Sequence, residues 1–162
     1  MDEKKAYAYV LRLLSKRSYP GGLLGEKLAG KGFPPEVRCA VLDKVTRLGY
    51  VDDADYIRRF SQEKSSRGYG NRWIENALRK KKLPIDLIRE TLALEIPSED
   101  PLEAAEKALN ASPAFRHKAK AGEDPRRRSG RLYAFLIRRG FSSQVALSAI
   151  RHALKVEITE PE

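Results

Sequence analysis

The side chains best suited to chemistry in this sequence are few. His117 and His152 are its only imidazoles, and neither has a carboxylate or cysteine at metal-ligand spacing. Asp52, Asp53 and Asp55 form the one tight carboxylate cluster. Such a cluster could hold a divalent ion. Asp52, however, stands where a helix N-cap is expected, and Asp55, three residues on, complements the dipole of the same helix, so we read the cluster as capping. No glycine-rich phosphate loop, nucleophile elbow or zinc spacing occurs. The pattern points to binding rather than catalysis, with no cofactor and no metal.

What remains is electrostatic. Lys and Arg number 32 against 22 Asp and Glu, a net charge of +10. The excess is present in residues 1–50, 51–98 and 99–162 alike, as suits an extended polyanion such as single- or double-stranded DNA held without sequence preference. The cations also cluster. Arg79, Lys80, Lys81 and Lys82 close one helical pattern, and Arg138 and Arg139 close another. Cations there stabilise the helix dipole, but four in a row exceed that need, so capping and phosphate binding both stand as readings. Arg126, Arg127, Arg128 and Arg131 flank a helix start, where the dipole disfavours them and a binding role gains weight. Arg58, Arg59, Lys64, Arg67 and Arg72 interleave with Tyr56, Phe60, Tyr69 and Trp73. Tyr56 and Phe60, one turn apart, are expected on a core face. Tyr69 and Trp73 are the rings that could stack bases, although burial is the ordinary fate of a tryptophan.

The elements that position these groups repeat. Leu24, Leu28, Phe33, Val37 and Leu42 recur at identical offsets as Ile74, Leu78, Leu83, Leu87 and Leu92, and again as Leu132, Leu136, Phe141, Val145 and Ile150. Spacings of four place the first two of each set on one helix face, and the third falls at a break. Gly32 and Gly140 precede that break, while Lys82 occupies the same place in the second copy. A left-handed lysine costs on the order of 1 kcal/mol, so a turn reshaped by Pro84 is the alternative. Pro34-Pro35 and Ser142 suit the start of the following helix.

Each pair has a leading helix, carried by Ala6, Val10, Leu13 and Leu14, by Tyr56, Ile57 and Phe60, and by Leu102, Ala105 and Leu109. Two short helices cannot bury their stripes alone; a third closes a small core. The expected fold is all-α, three tandem three-helix repeats at 1–50, 51–97 and 98–162 forming an elongated molecule. The third repeat carries a basic insertion near 113–129, expected as a loop. Ile96 to Pro101, with two prolines, reads as a semi-rigid hinge. No apolar run approaches the roughly 20 residues that cross a bilayer. The first helix reads as amphipathic rather than as a signal peptide. Cys39, the lone cysteine, reads as a buried thiol in a reducing, cytoplasmic setting.

The repeat, together with Leu48-Gly49-Tyr50-Val51-Asp52-Asp53, Tyr56, Phe60, Arg67-Gly68 and Gly70, resembles the RecX family of bacterial regulatory proteins. Lys31-Gly32-Phe33 and Arg139-Gly140-Phe141 share the likeness, which runs from about Ala6 to Leu154. Tyr19-Pro20-Gly21-Gly22, Lys82 and the long insertion depart from it. The resemblance implies a negative regulator of the RecA recombinase in recombination, DNA repair and the SOS response, and we expect the chain to act as a monomer. It would lie in the groove of the RecA–DNA filament and block filament growth, ATP hydrolysis and strand exchange. A helix-turn-helix transcription regulator is the alternative, although no single helix carries a distinctive set of base-reading residues. A scaffold that meets acidic proteins is a third.

Overall fold

A computed structural model describes residues 2–95, 100–116 and 124–159. Most of the expected hinge (96–99), His117 and the middle of the insertion (117–123) lie outside the described residues. Among the described residues every regular element is helical: α1 (Asp2–Leu14), α2 (Gly21–Ala29), α3 (Pro35–Arg47), α4 (Asp53–Ser66), α5 (Asn71–Arg79), α6 (Ile85–Glu95), α7 (Pro101–Ala111), the single turn α8 (Pro113–Arg116), α9 (Pro125–Arg138) and α10 (Ser143–Thr159). The helices thus follow the expected triplets. No described helix is long and apolar enough to cross a membrane.

The first triplet closes over Ala6, Val10, Leu24, Leu28, Val41, Val45 and Val51. In the third triplet Ala105, Leu109, Leu132, Leu136, Phe141, Ala146, Ala149 and Ile150 do the same. In the second, Ile57, Ile74, Leu78, Leu83 and Ile88 are buried. The anchors read from α2, α5 and α9 are all buried, as is Ile150 of α10, but the other anchors of the following helices shift. Val37, Leu42, Leu87 and Leu92 are only half-buried. The buried register there runs through Val41, Thr91 and Ala149, which share one offset. At that offset Thr91 and Ala149 are smaller than the apolar residues expected, while Val45, Ile88 and Ile150 are buried beside it. In α4 the buried positions are the expected Ile57 and, in place of Tyr56 and Phe60, Ser61. Those two rings are half-buried and stack on each other, with centroids 6.2 Å apart.

The turn after the second helix of each triplet is the same left-handed cap, with φ of 79° at Gly32, 63° at Lys82 and 88° at Gly140. Pro84 therefore does not reshape the second copy, and the lysine accepts the glycine conformation. A glycine packed against it leaves it room. A β-carbon added at Gly22 would fall on the Lys82 carbonyl and 2.8 Å from the Lys82 β-carbon. At the next joint glycines stand on both sides: a β-carbon at Gly140 would collide with the backbone of Trp73, and one at Gly70 would lie 2.8 Å from the Gly140 carbonyl. Gly22 and Lys82 thus make one contact.

Two further expectations are corrected. Cys39 is exposed on α3, because its offset lies on the face opposite Val37, Val41 and Val45. The basic insertion is not all loop: 113–116 form a turn of helix and 125–129 belong to α9. Asp124 accepts a hydrogen bond from the Arg126 amide at 2.9 Å, and its carboxylate offsets the cations of that first turn.

By its internal packing the chain divides into two compact units: Met1–Phe60 with Ala77–Glu95, and Ser61–Asn76 with Ile96–Glu162. The division passes through the second triplet.

Candidate nucleic-acid interface

The carboxylate cluster sits at the joint after α3, and each member has a structural partner. Asp52 accepts from the Asp55 amide at 2.8 Å and so caps α4. Asp53 accepts from the Gly21 amide at 2.8 Å, across 32 residues, and so caps α2. Asp55 pairs with Arg58 at 3.6 Å and with Arg59. Among the described residues no group of His, Cys, Asp and Glu is arranged to hold a metal ion. His152 lies 2.9 Å from Glu106 and ties α10 to α7.

The cations of the first unit fall into two kinds. Arg58 and Arg59 are held by Asp55, and Lys82 reaches Glu26 at 2.9 Å across the Gly22 joint. Lys81 is half-buried, its ammonium 5.8 Å from the Tyr56 ring centre and 5.3 Å from that of Phe60. The α4 rings missing from the core thus carry a cation instead. Arg79 and Lys80 stand exposed with no ion pair among the described residues.

In the second unit Lys64 and Arg67 share Glu63, at 3.0 and 3.1 Å. The Lys64 ammonium, which donates a hydrogen bond to Glu63, holds that carboxyl below the usual carboxylate range, with Arg67 adding to it. Arg139 is half-buried and structural. Its guanidinium donates to the Arg67 carbonyl at 2.6 Å and lies 4.4 Å from the Tyr69 ring centre. Tyr69 in turn packs on Trp73 with centroids 4.1 Å apart, so cation, phenol and indole form one column. The Gly70 amide donates to the Arg139 carbonyl at 2.7 Å, which fixes the start of α5 against the α9–α10 turn.

Arg128 is only 7% exposed and stacks over Phe115. It serves packing, contrary to the docking role its position suggested. Arg126, Arg127 and Arg131 are exposed on α9, as are Arg72 on α5 and Arg138 at the end of α9.

Two hollows adjoin the turn at Gly140. The larger, about 680 Å³, is lined by residues that include Arg67, Arg72, Lys107, Phe135 and Arg139. The smaller, about 320 Å³, is lined by Arg72, Trp73, Asn76, Tyr133, Ile137, Arg138, Gly140, Phe141 and Ser143. Lys107, Asn76 and Tyr133 were not singled out from sequence. Lys107 lines the larger hollow, and Asn76 and Tyr133 the smaller; they lie in three helices, and no local spacing signals either placement.

Triplets of short helices, each pair closed by a left-handed turn, make this an all-helical tandem-repeat protein. Residues 52–92 match the second three-helix domain of RecX. A regulatory protein RecX from Deinococcus radiodurans is 36% identical over 149 residues, spanning 92% of this chain and 68% of that protein. Its counterpart from Mycobacterium ulcerans is 35% identical over 159 residues, spanning 96% and 88%. The crystal structure of RecX from Lactobacillus salivarius shares the fold at a TM-score of 0.78 and 18% identity, covering 95% of this chain and 97% of that one. The chain belongs to the RecX family of regulatory proteins.

Proposed function

We propose that this chain is a negative regulator of the RecA recombinase. It binds in the groove of the RecA–DNA filament in the cytoplasm and blocks filament growth, ATP hydrolysis and strand exchange. In this role it tempers homologous recombination, DNA repair and the SOS response. The observation that carries the reading is membership of a regulatory family across nearly the full chain, at 96% coverage of this chain in the M. ulcerans comparison. The surface supports it: Arg72, Arg79, Lys80, Arg126, Arg127 and Arg138 are exposed and in no ion pair among the described residues. Cations of this kind serve phosphate or carboxylate contacts and need no reactive group. Inhibition then comes from occupancy.

The test adds purified protein to pre-formed RecA filaments on single-stranded DNA and follows ATP hydrolysis. The expected result is a dose-dependent fall. Unchanged hydrolysis at saturating protein, with filaments still intact, overturns the proposal.

A further inference from the structure

We infer that the groove between Arg72 and Arg138 is a subsite for one unpaired nucleotide of single-stranded DNA. Trp73 and Tyr133 would receive the base, and the two arginines the flanking phosphates. The inference rests on the DNA contact proposed above but not on inhibition of the recombinase.

Several features converge there. The groove holds about 320 Å³, at the lower end of the range of ligand sites, and is concave. A duplex read through its major groove calls for a protruding helix or ribbon, whereas a slot accepts a base splayed out of the stack. Its lining combines an indole, a phenol, the Asn76 amide and two guanidinium groups, and contains no carboxylate. Arg72 and Arg138 are exposed and outside any ion pair among the described residues, so their charge is available. Most other arginines on this middle stretch are already held, Arg58 and Arg59 by Asp55 and Arg67 by Glu63.

The rings are also pre-positioned. Trp73 is half-buried and backed by Tyr69 at 4.1 Å, which Arg139 pins from beyond at 4.4 Å. The Tyr133 hydroxyl lies 3.1 Å from Ser143 Oγ, which fixes that phenol at the rim. Rings held in place lose little conformational freedom when a base stacks on them. The larger hollow shares Arg72, Gly140 and Phe141 with the groove, and its lining also lacks a carboxylate. The next phosphate of a strand leaving the groove therefore has a cationic path past Arg72.

Trp73 is the only tryptophan in the chain, so its fluorescence reports on this groove alone. The whole protein, free of recombinase, is titrated with oligothymidylate, with an abasic oligonucleotide of equal length and with a duplex. Saturable quenching by oligothymidylate is expected, with the abasic strand bound roughly fivefold to a hundredfold more weakly, as the loss of base–aromatic stacking requires. Arg72→Ala and Arg138→Ala should each weaken oligothymidylate binding and lower the salt slope by about 0.7. Binding with unmoved fluorescence, equal affinity for the abasic strand, or equal quenching by duplex overturns the inference. No binding of any DNA overturns it as well, while leaving the hydrolysis assay on filaments to judge regulation separately.

Discussion

Gly32 and Gly140 occupy the same place in two copies of the repeat, with φ of 79° and 88°. Changing either to alanine forces an L side chain into the left-handed region at about 1–2 kcal/mol. They differ in what the new methyl meets. Nothing lies within 4 Å of a β-carbon at Gly32, whereas one at Gly140 runs into the Trp73 backbone. That second collision adds an overpacking cost of about 1–3 kcal/mol. Gly32→Ala should therefore lose about 1–2 kcal/mol, and Gly140→Ala about 2–5 kcal/mol by the two costs together. For a chain of this size each kcal/mol moves the melting midpoint by about 2–4 °C. Thermal melts followed by circular dichroism, with urea midpoints beside them, measure the gap. Lys82→Gly completes the set: it relieves a left-handed lysine but loosens the unfolded chain, and should fall within about 1 kcal/mol of the parent. Equal losses at Gly32 and Gly140 would refute the claim that the joint, rather than the turn itself, demands glycine at 140.

Asp53→Ala removes the acceptor for the Gly21 amide and should cost about 0.5–2 kcal/mol of stability, read from urea unfolding. Lys64→Met should return the Glu63 carboxyl toward its ordinary range, seen by NMR titration. Because the folded pKa of Glu63 is lowered, its contribution to stability is present above the ordinary carboxylate range and is lost as pH falls through the lowered value. Parent and variant should therefore converge in acid. Cys39 should react with a thiol reagent in the folded protein about as fast as in urea, since α3 leaves it exposed. Arg128→Ala should destabilise by about 1–3 kcal/mol while its exposed neighbour Arg127→Ala stays within about 0.5 kcal/mol, as melting would show.

The large apolar residues of the sequence located the second helix of each triplet because Leu24, Leu28 and their counterparts meet the core directly. They misplaced the third helix for a physical reason. One position of its buried face takes Val41, Thr91 and Ala149, and Ile88 and Ile150 are buried near it, while Leu42 and Leu92 lie half outside. Size is then a poor guide to burial. Lys82 was legible as an anomaly but not as a solution, because the space it needs is created by Gly22, sixty residues away. The charge clusters were legible as clusters only. Whether a given arginine faces out, as Arg127 does, or in, as Arg128 does, depends on one helical step that a run of three cannot resolve.

The motif that most strongly carried the family likeness bears on how a binding surface should be mapped. Within Leu48 to Asp53, Gly49 takes a φ of 74° and Val51 joins the first core. Asp52 and Asp53 cap two different helices. Four of the six residues thus have their roles inside the fold, so loss of function on replacing them reports folding first. Leu48 and Tyr50, at 51% and 54% exposed, are the members of the motif that the fold does not claim. The same logic applies to the arginines. Arg128 and Arg139 hold structure together, so a substitution there lowers activity whatever the partner. Arg72 and Arg138 make no such internal contact among the described residues. A loss confined to those two, with melting unchanged, reports the surface itself.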